Sequence, residues 1–265
     1  MSVVKYETAG NAASQSPSIW ADLPTMKMVA CPTDFIEVYD DFVKGGVEED
    51  KSVPGWDFVG TNADVAQTVD VANGEILLEG SGADNDSAFI ATPDLYLLTK
   101  NSGKRFWFEA YVKLSAAGAA DDYAAFVGLI EKAGATAELI ADNGATVIDE
   151  DFVGFFAESN TTTIQSWNAT INQGGSASFP VNAQADIVAA STSYVKLGMK
   201  FDGKKTIDFY VNGVKSGTYD IDNLGSDTMA HEVCVALGVK DCKVAQLGMY
   251  VDWVRFVAEK IASGY

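Results

Sequence analysis

The chain has 265 residues, 48% of them hydrophobic, 21% charged and 11% aromatic, with 24 glycines. At this length roughly 70–75% of the unfolded chain's surface can be buried, so a core needs no disulfide or metal to hold it. Thirty-seven acidic against 18 basic residues give a net charge of −19, which argues against nucleic-acid partners and against anionic membranes; the same charge keeps a protein dispersed.

Cys31, Cys234 and Cys242 form no even framework and no C-x-x-C pair, so we read them as free thiols from a reducing compartment. The N-terminus lacks a charged head followed by an apolar run, so no signal peptide is expected. No stretch reaches transmembrane length. Asn160-Thr161-Thr162 and Asn168-Ala169-Thr170 match the glycosylation pattern, which without a secretory route we take as chance.

Residues 1–33 are rich in Ser, Ala and Asn, are interrupted by Pro17, Pro24 and Pro32, and show no clean period. They nevertheless carry Ile19, Trp20, Leu23, Met26, Met28 and Val29. A floppy tail is the plain reading. We expect instead an extended arm that docks these side chains onto a neighbouring subunit or a capsid. Residues 34–265 then form one β domain.

Strands are expected at Asp34–Phe42, Trp56–Val59, Ala66–Val71, Gly74–Glu79 and Ser87–Ala91. Between the last two, Asp84, Asn85 and Asp86 offer oxygen ligands of the kind calcium takes. The full EF-hand spacing is missing, so a solvated turn is the better reading. Arg105–Leu114 (RFWFEAYVKL) alternates cleanly: Phe106, Phe108, Ala110, Val112 and Leu114 share one face, and Trp107, Glu109, Tyr111 and Lys113 the other. Tyr123–Glu131 is continuously apolar, as an inner strand is. Ala133–Ile148 suggests a short helix over the sandwich. Strands follow at Asp151–Glu158, Thr163–Trp167 and Ser178–Val181.

Residues 193–220 read as three antiparallel strands joined by turns at Asp202–Lys205 and Asn212-Gly213. Asn-Gly is the strongest short hairpin signal, because a type I′ turn needs φ > 0 at both central residues. Val195, Leu197, Met199 and Phe201 fall on one face, with Tyr194, Lys196, Gly198 and Lys200 on the other; Ile207, Phe209 and Val211 repeat the pattern. Glu232–Val239 and Gln246–Ala258 complete the set. Strands every ten or so residues with almost no helix predict an all-β, two-sheet antiparallel jelly-roll sandwich.

Three segments together resemble the concanavalin A-like jelly roll of legume lectins, laminin G-like modules and family 16 glucanases. Arg105–Leu114 is similar to the "RFEARIKL" strand of the glucanases. Tyr194–Val214 is similar to the "W-x-x-L-x-x-x-F-D-G…F-Y-V-D-G" hairpin of laminin G-like domains, and Val251–Arg255 to the closing "DWVRV" strand of the glucanases. A narrower resemblance, carried by Asp40–Phe42, Trp56, Gly74–Leu78, Lys104–Leu114, Asp121–Leu129 and Tyr194–Val214, is to structural proteins of tailed bacteriophages thought to decorate or cement the capsid. It rests on framework residues.

Family 16 glucanases carry their carboxylates as Glu-x-Asp-x-x-Glu on one strand, the geometry a retaining pair requires. Glu48-Glu49-Asp50 supplies the only Glu-x-Asp, in a loop with Val at position 53, and strand 123–131 offers only Glu131. His231 is the only histidine, so no His-based zinc cluster forms, and it sits beside no nucleophile elbow. No phosphate-cradling glycine loop is present. We expect no enzyme and no cofactor. In the glucanases the aspartate of "DWVRV" helps hold a structural calcium, so Asp252 is the one metal candidate, against the plainer reading of a capped strand-end carboxylate.

The expected function is a virion protein on the capsid exterior, made in the host bacterial cytoplasm, binding the major capsid protein and its own copies, with a trimer as the first guess. Many interlocking contacts would resist internal DNA pressure through multivalency. The alternative is a glycan-binding, lectin-like module in which Trp56, Trp107, Tyr111 and Trp167 stack on sugar rings.

Overall fold

The 193–220 meander is the organising hairpin pair. Val195–Phe201 (β12), Thr206–Val211 (β13) and Val214–Asp220 (β14) pair antiparallel in sequence. Asn212 and Gly213 sit at φ 50° and 76°, the left-handed pair that a type I′ turn demands. The computed structural model describes residues 14–42, 53, 55–61, 67–68, 74–115, 123–131, 139–140, 151–158, 166–172, 179–180, 188–189, 193–223, 232–241 and 248–260.

The other strands are Phe35–Asp40 (β1), Asp57–Thr61 (β2), Gln67–Thr68 (β3), Ile76–Glu79 (β4), Ser87–Ala91 (β5), Phe106–Leu114 (β6), Tyr123–Glu131 (β7), Phe152–Glu158 (β8), Ser166–Asn172 (β9), Phe179–Pro180 (β10), Val188–Ala189 (β11), Val233–Asp241 (β15) and Gly248–Glu259 (β16). They form two antiparallel sheets. The first runs β14-β13-β12-β6-β16-β4-β3, with β1 also on β16; the second runs β10-β9-β8-β7-β15-β5-β2, with β11 on β9.

The predicted alternation decides which side chains meet between the sheets. Phe106, Phe108, Ala110, Val112 and Leu114 of β6 and Val195, Leu197, Met199 and Phe201 of β12 face Val127, Leu129, Phe155, Val235 and Leu237 of the second sheet in one continuous core. Phe106, Phe201, Phe256 and Tyr96 pack ring to ring in it, with centroids 5.7–6.1 Å apart. The strand β16 changes phase along its length: Met249 and Val251 point into this core, then Val254, Phe256 and Ala258 do. A bulge between Val251 and Trp253 makes the switch. It coincides with the change of partner from β4, which pairs Gly248–Val251, to β1, which pairs Val254–Glu259. One extra residue, Asp252, reverses the alternation that a straight strand would keep.

The N-terminal arm is not extended. Pro17–Trp20 forms a four-residue helix (α1), Thr25–Ala30 a second (α2), and Pro32–Asp34 a 3₁₀ turn that leads directly into β1. The prolines that suggested an unstructured segment start these turns: Pro17 and Pro32 sit at first-turn positions, where proline's missing N–H costs nothing and its fixed φ suits the helix. The boundary placed at 33/34 therefore falls inside continuous structure. The short helix expected within Ala133–Ile148 lies outside the described residues except for Leu139 and Ile140, which are buried against the outer face of the second sheet. His231, Cys242, Glu48–Asp50 and Asn160–Thr162 also lie outside them.

Candidate functional site

The outward face of the first sheet carries Trp107, Glu109 and Tyr111 from β6, Lys196, Gly198 and Lys200 from β12, Tyr210 from β13, and Arg255 and Val257 from β16. In a two-sheet sandwich this face normally meets solvent. Here residues 14–30 lie across it as a strap. Ile19, Trp20 and Leu23 are buried in a cluster with Phe35, Trp107, Tyr210 and Val257, and Met28 packs at its border.

The strap is seated by side chains. Glu109, completely buried in mid-strand, accepts from the Ser16 amide at 3.0 Å and the Trp20 indole N–H at 2.8 Å, both through Oε2; its Oε1 has no hydrogen-bond partner. Burial pushes the Glu109 carboxyl up from the usual range, against the pull of the Ser16 and Trp20 hydrogen bonds and the Lys196 charge. The Arg255 guanidinium lies 4.6 Å from the Trp20 ring centroid, donates to Gln15 Oε1 at 2.6 Å and pairs with Glu37 at 2.9 Å. Trp107 Nε1 donates to Asp22 at 2.9 Å, and Lys200 and Arg105 flank the same carboxylate. Burial alone would raise Asp22; the hydrogen bonds from Lys200 and Trp107 and the Arg105 charge outweigh it and hold the carboxyl below its usual value.

Gly198 is the notch that admits the strap. A Cβ there would stand 2.3 Å from Ile19 Cδ1, so a larger residue would push the Ile19 side chain out of its present seat. In the sequence this notch shows only as a glycine inside an otherwise strong strand, on the face away from the core.

The structure corrects the two candidate sets. Of the arm residues, Ile19, Trp20 and Leu23 bind the chain's own sheet, Met28 is partly buried with them, and Met26 is left 83% exposed. Of the aromatic set, Trp56, Trp107, Tyr111 and Trp167 are all buried. Trp107 is covered by the strap, Trp167 lies in the inter-sheet core, and Trp56 packs on Phe42 with its N–H on Asp40. None presents an open ring face for a sugar. Alternation alone cannot tell an outward aromatic from an exposed one when another segment lies over it.

Beside the strap, Tyr111 stacks on Tyr194 at 4.6 Å and lies 6.2 Å from Trp253. The Lys113 ammonium sits 4.5 Å from the Tyr194 ring, 4.3 Å from the Tyr250 ring and 3.5 Å from Glu75. Asp252, at the bulge, belongs to this cluster. Its pKa is raised to about 6 by burial, with the Glu75 and Asp41 charges adding and Lys113 opposing. No group of three or more His, Cys, Asp or Glu side chains that could hold a metal ion occurs among the described residues; Asp252 is the extra residue of the bulge. Because its folded pKa exceeds 3.8, Asp252 contributes stability at low pH that is lost as pH rises through about 6. Asp252→Asn should remove that part of the decline between pH 4 and 6 and stabilise the protein at pH 7 by about 1 kcal/mol, after discounting for solvent screening. Thermal melts of both proteins across this range test it; parallel curves would refute the assignment.

The polar loop between β4 and β5 is tied down internally. Asp241 Oδ2 accepts from the Gly82 amide at 2.9 Å, and the Asn85 amide donates to Asp241 O at 2.8 Å. Asp86 is buried and bonded to Ser81. The loop is an ordered turn packed on β15, not a freely solvated one.

The outer face of the second sheet is also filled. Phe89, Phe126, Ile130, Phe152 and Phe156 form a buried cluster there with Leu139 and Ile140. On β7 and β8, where a glucanase-like carboxylate set was sought, the outward residues through mid-strand are Phe126, Gly128, Phe152, Gly154 and Phe156, and Glu131 lies at the end of β7.

The chain matches no family model and no curated protein sequence. Its backbone does match solved structures. An endo-1,3-β-glucanase from Streptomyces sioyaensis aligns over 86% of this chain and 97% of its own, at TM-score 0.55 and 16% identity. The Emp47p carbohydrate recognition domain aligns over 84% and 96%, at TM-score 0.55 and 11% identity. The fold is a concanavalin A-like jelly roll. A structure described with endo-acting O-glycanases of the human gut microbiota aligns over 83% and 98%, at TM-score 0.54 and 14% identity. This jelly roll thus has both glycan-cleaving and glycan-recognising neighbours, and at such identities the likeness carries fold and not activity.

Proposed function

We propose that the chain is a non-enzymatic virion protein that decorates the exterior of a bacteriophage capsid, binding the major capsid protein and neighbouring copies. The observation that carries this reading is that, among the described residues, part of each outer face of the sandwich is covered by the chain's own residues: the strap on the first sheet, and the Phe-rich cluster with Leu139 and Ile140 on the second. Self-covered sheet faces suit a block that makes its contacts through edges and loops better than a cleft that encloses a substrate. The resemblance to phage structural proteins supports it, because most of the matching residues fall on the strands β4, β6, β7, β12 and β13 that build this block. The net charge of −19 suits a protein facing away from packaged DNA. Quantitative mass spectrometry of purified virions should find many copies per particle in a simple ratio to the major capsid protein. Absence from particles would overturn the reading.

A second reading, glycan recognition, is favoured by the fold neighbours and by one cluster: Tyr194 and Tyr250, partly exposed, beside the carboxylates of Glu75 and Asp252. Rings next to carboxylates are what sugar hydroxyls and C–H faces require. A glycan array probed with the full chain tests it: binding lost in Tyr250→Ala supports this reading, and a flat array removes it.

A further inference from the structure

We propose that the outward face of the first sheet is a receptor for the strap of a second copy of this chain, so that neighbouring copies are joined by exchanging straps. In the single chain the strap occupies its own face, and that contact defines what the receptor recognises. An apolar side chain enters the Gly198 notch, an indole N–H and a main-chain amide reach the buried Glu109 carboxylate, and a carboxylate meets the Trp107 N–H between Lys200 and Arg105. Every one of these groups belongs to β6, β12 or the residue preceding β6, all fixed by the core. The receptor is therefore formed independently of which chain supplies the strap.

Three features suit the strap to exchange. Among the described residues its backbone pairs with no strand; up to the Asp34 carbonyl, which accepts from the Lys260 amide, its backbone–backbone hydrogen bonds stay within residues 16–34, and each contact that seats it on the sheet involves a side chain, the Ser16 amide meeting Glu109 and the Ser14 carbonyl meeting Lys196. Its helices have four and six residues, too short to persist undocked, so it orders on whichever face it reaches. It joins β1 through Cys31–Asp34 alone, and just before that joint α2 leaves Met26 and Val29 83% and 77% exposed. These apolar side chains lie on the segment that would run between two copies when a strap crosses over, where a neighbour would cover them. Such exchange of an identical element needs no new interface chemistry. The choice between own and neighbouring face is then set by concentration against the effective concentration of the tether, on the order of millimolar for a short link. Copies held side by side on a surface reach that regime.

The Asp22–Lys200 ion pair reports the exchange. Full chains labelled with ¹⁴N and ¹⁵N are unfolded together, refolded as a mixture over a range of concentrations, and treated with a carbodiimide, which condenses touching carboxylates and amines into amides. Mass spectrometry then sorts Asp22–Lys200 cross-links into same-isotope and mixed-isotope species. Mixed species are expected, rising about tenfold for each tenfold rise in protein concentration while dilute. The Lys205–Asp220 pair inside the β13–β14 hairpin should stay same-isotope. Asp22–Lys200 links that remain same-isotope up to millimolar protein overturn the proposal, as do mixed links that appear equally at Lys205–Asp220, which would mean unspecific association. The outcome is independent of virion copy number, so exchange and decoration can fail separately.

Discussion

Trp20→Ala is expected to release the strap from the sheet and to cost about 3–5 kcal/mol, the range for removing a buried tryptophan ring. The loss has several parts. The ring is almost completely buried with Ile19, Leu23, Trp107 and Val257. Its N–H is one of the two donors that reach the Glu109 carboxylate, and its face takes the Arg255 guanidinium. Without it Glu109 keeps its buried position with a single donor from the strap, and an under-satisfied buried carboxylate is more expensive than the average lost hydrogen bond. Urea denaturation gives the stability change. Limited proteolysis should show rapid cleavage within residues 14–34 of the variant while the sandwich resists. A variant as protease-resistant as the parent, with an unchanged midpoint, would mean that the strap is not held as described. Because the Glu109 carboxyl is raised by burial, the sign of the accompanying pH effect is also set. Its contribution is fully present below the ordinary glutamate range and declines as pH rises through the raised value, so strap release in the parent protein should become easier toward alkaline pH.

Gly128→Val should be at least as damaging, at about 3 kcal/mol or more, through the second sheet. Gly128 on β7 and Gly154 on β8 are cross-strand partners. A Cβ on Gly128 would stand 2.5 Å from Gly154 Cα and from Val153 O, and 3.1 Å from the tip of the Phe126 ring; a Cβ on Gly154 would meet Val127 O at 2.6 Å. Phe126 therefore lies over a pair of glycines, and the contact fixes its edge-to-face packing on Phe152 at 6.0 Å. Backbone in two central strands cannot give way as the end of a flexible side chain can. Thermal unfolding and the yield of soluble protein measure the effect. A variant that melts with the parent would show that the strands can separate at this point without loss.

The sequence by itself determined the sandwich, and for definite reasons. The alternation of β6, β12 and β13 has a period of two over long runs, and each such run has one arrangement that buries its apolar face. Asn212-Gly213 admits few other turns. The F-V-G triplet at 126–128 and again at 152–154 lies in two strands that prove to be neighbours. The same alternation also named the outward face of the first sheet correctly. What it could not supply was what lies on that face. A strap of two short helices leaves no periodic signal, its prolines read equally well as breaks, and its contacts span more than 80 residues of sequence, as between Trp20 and Glu109. Tertiary structure alone decided that Ile19, Trp20 and Leu23 turn inward onto their own chain, that Trp107 and Trp167 are packed and not displayed, and that Asp252 is the extra residue of a bulge. Each outcome depends on which surfaces meet in space, and the free energy of burying one surface against another is not written in the local pattern of either.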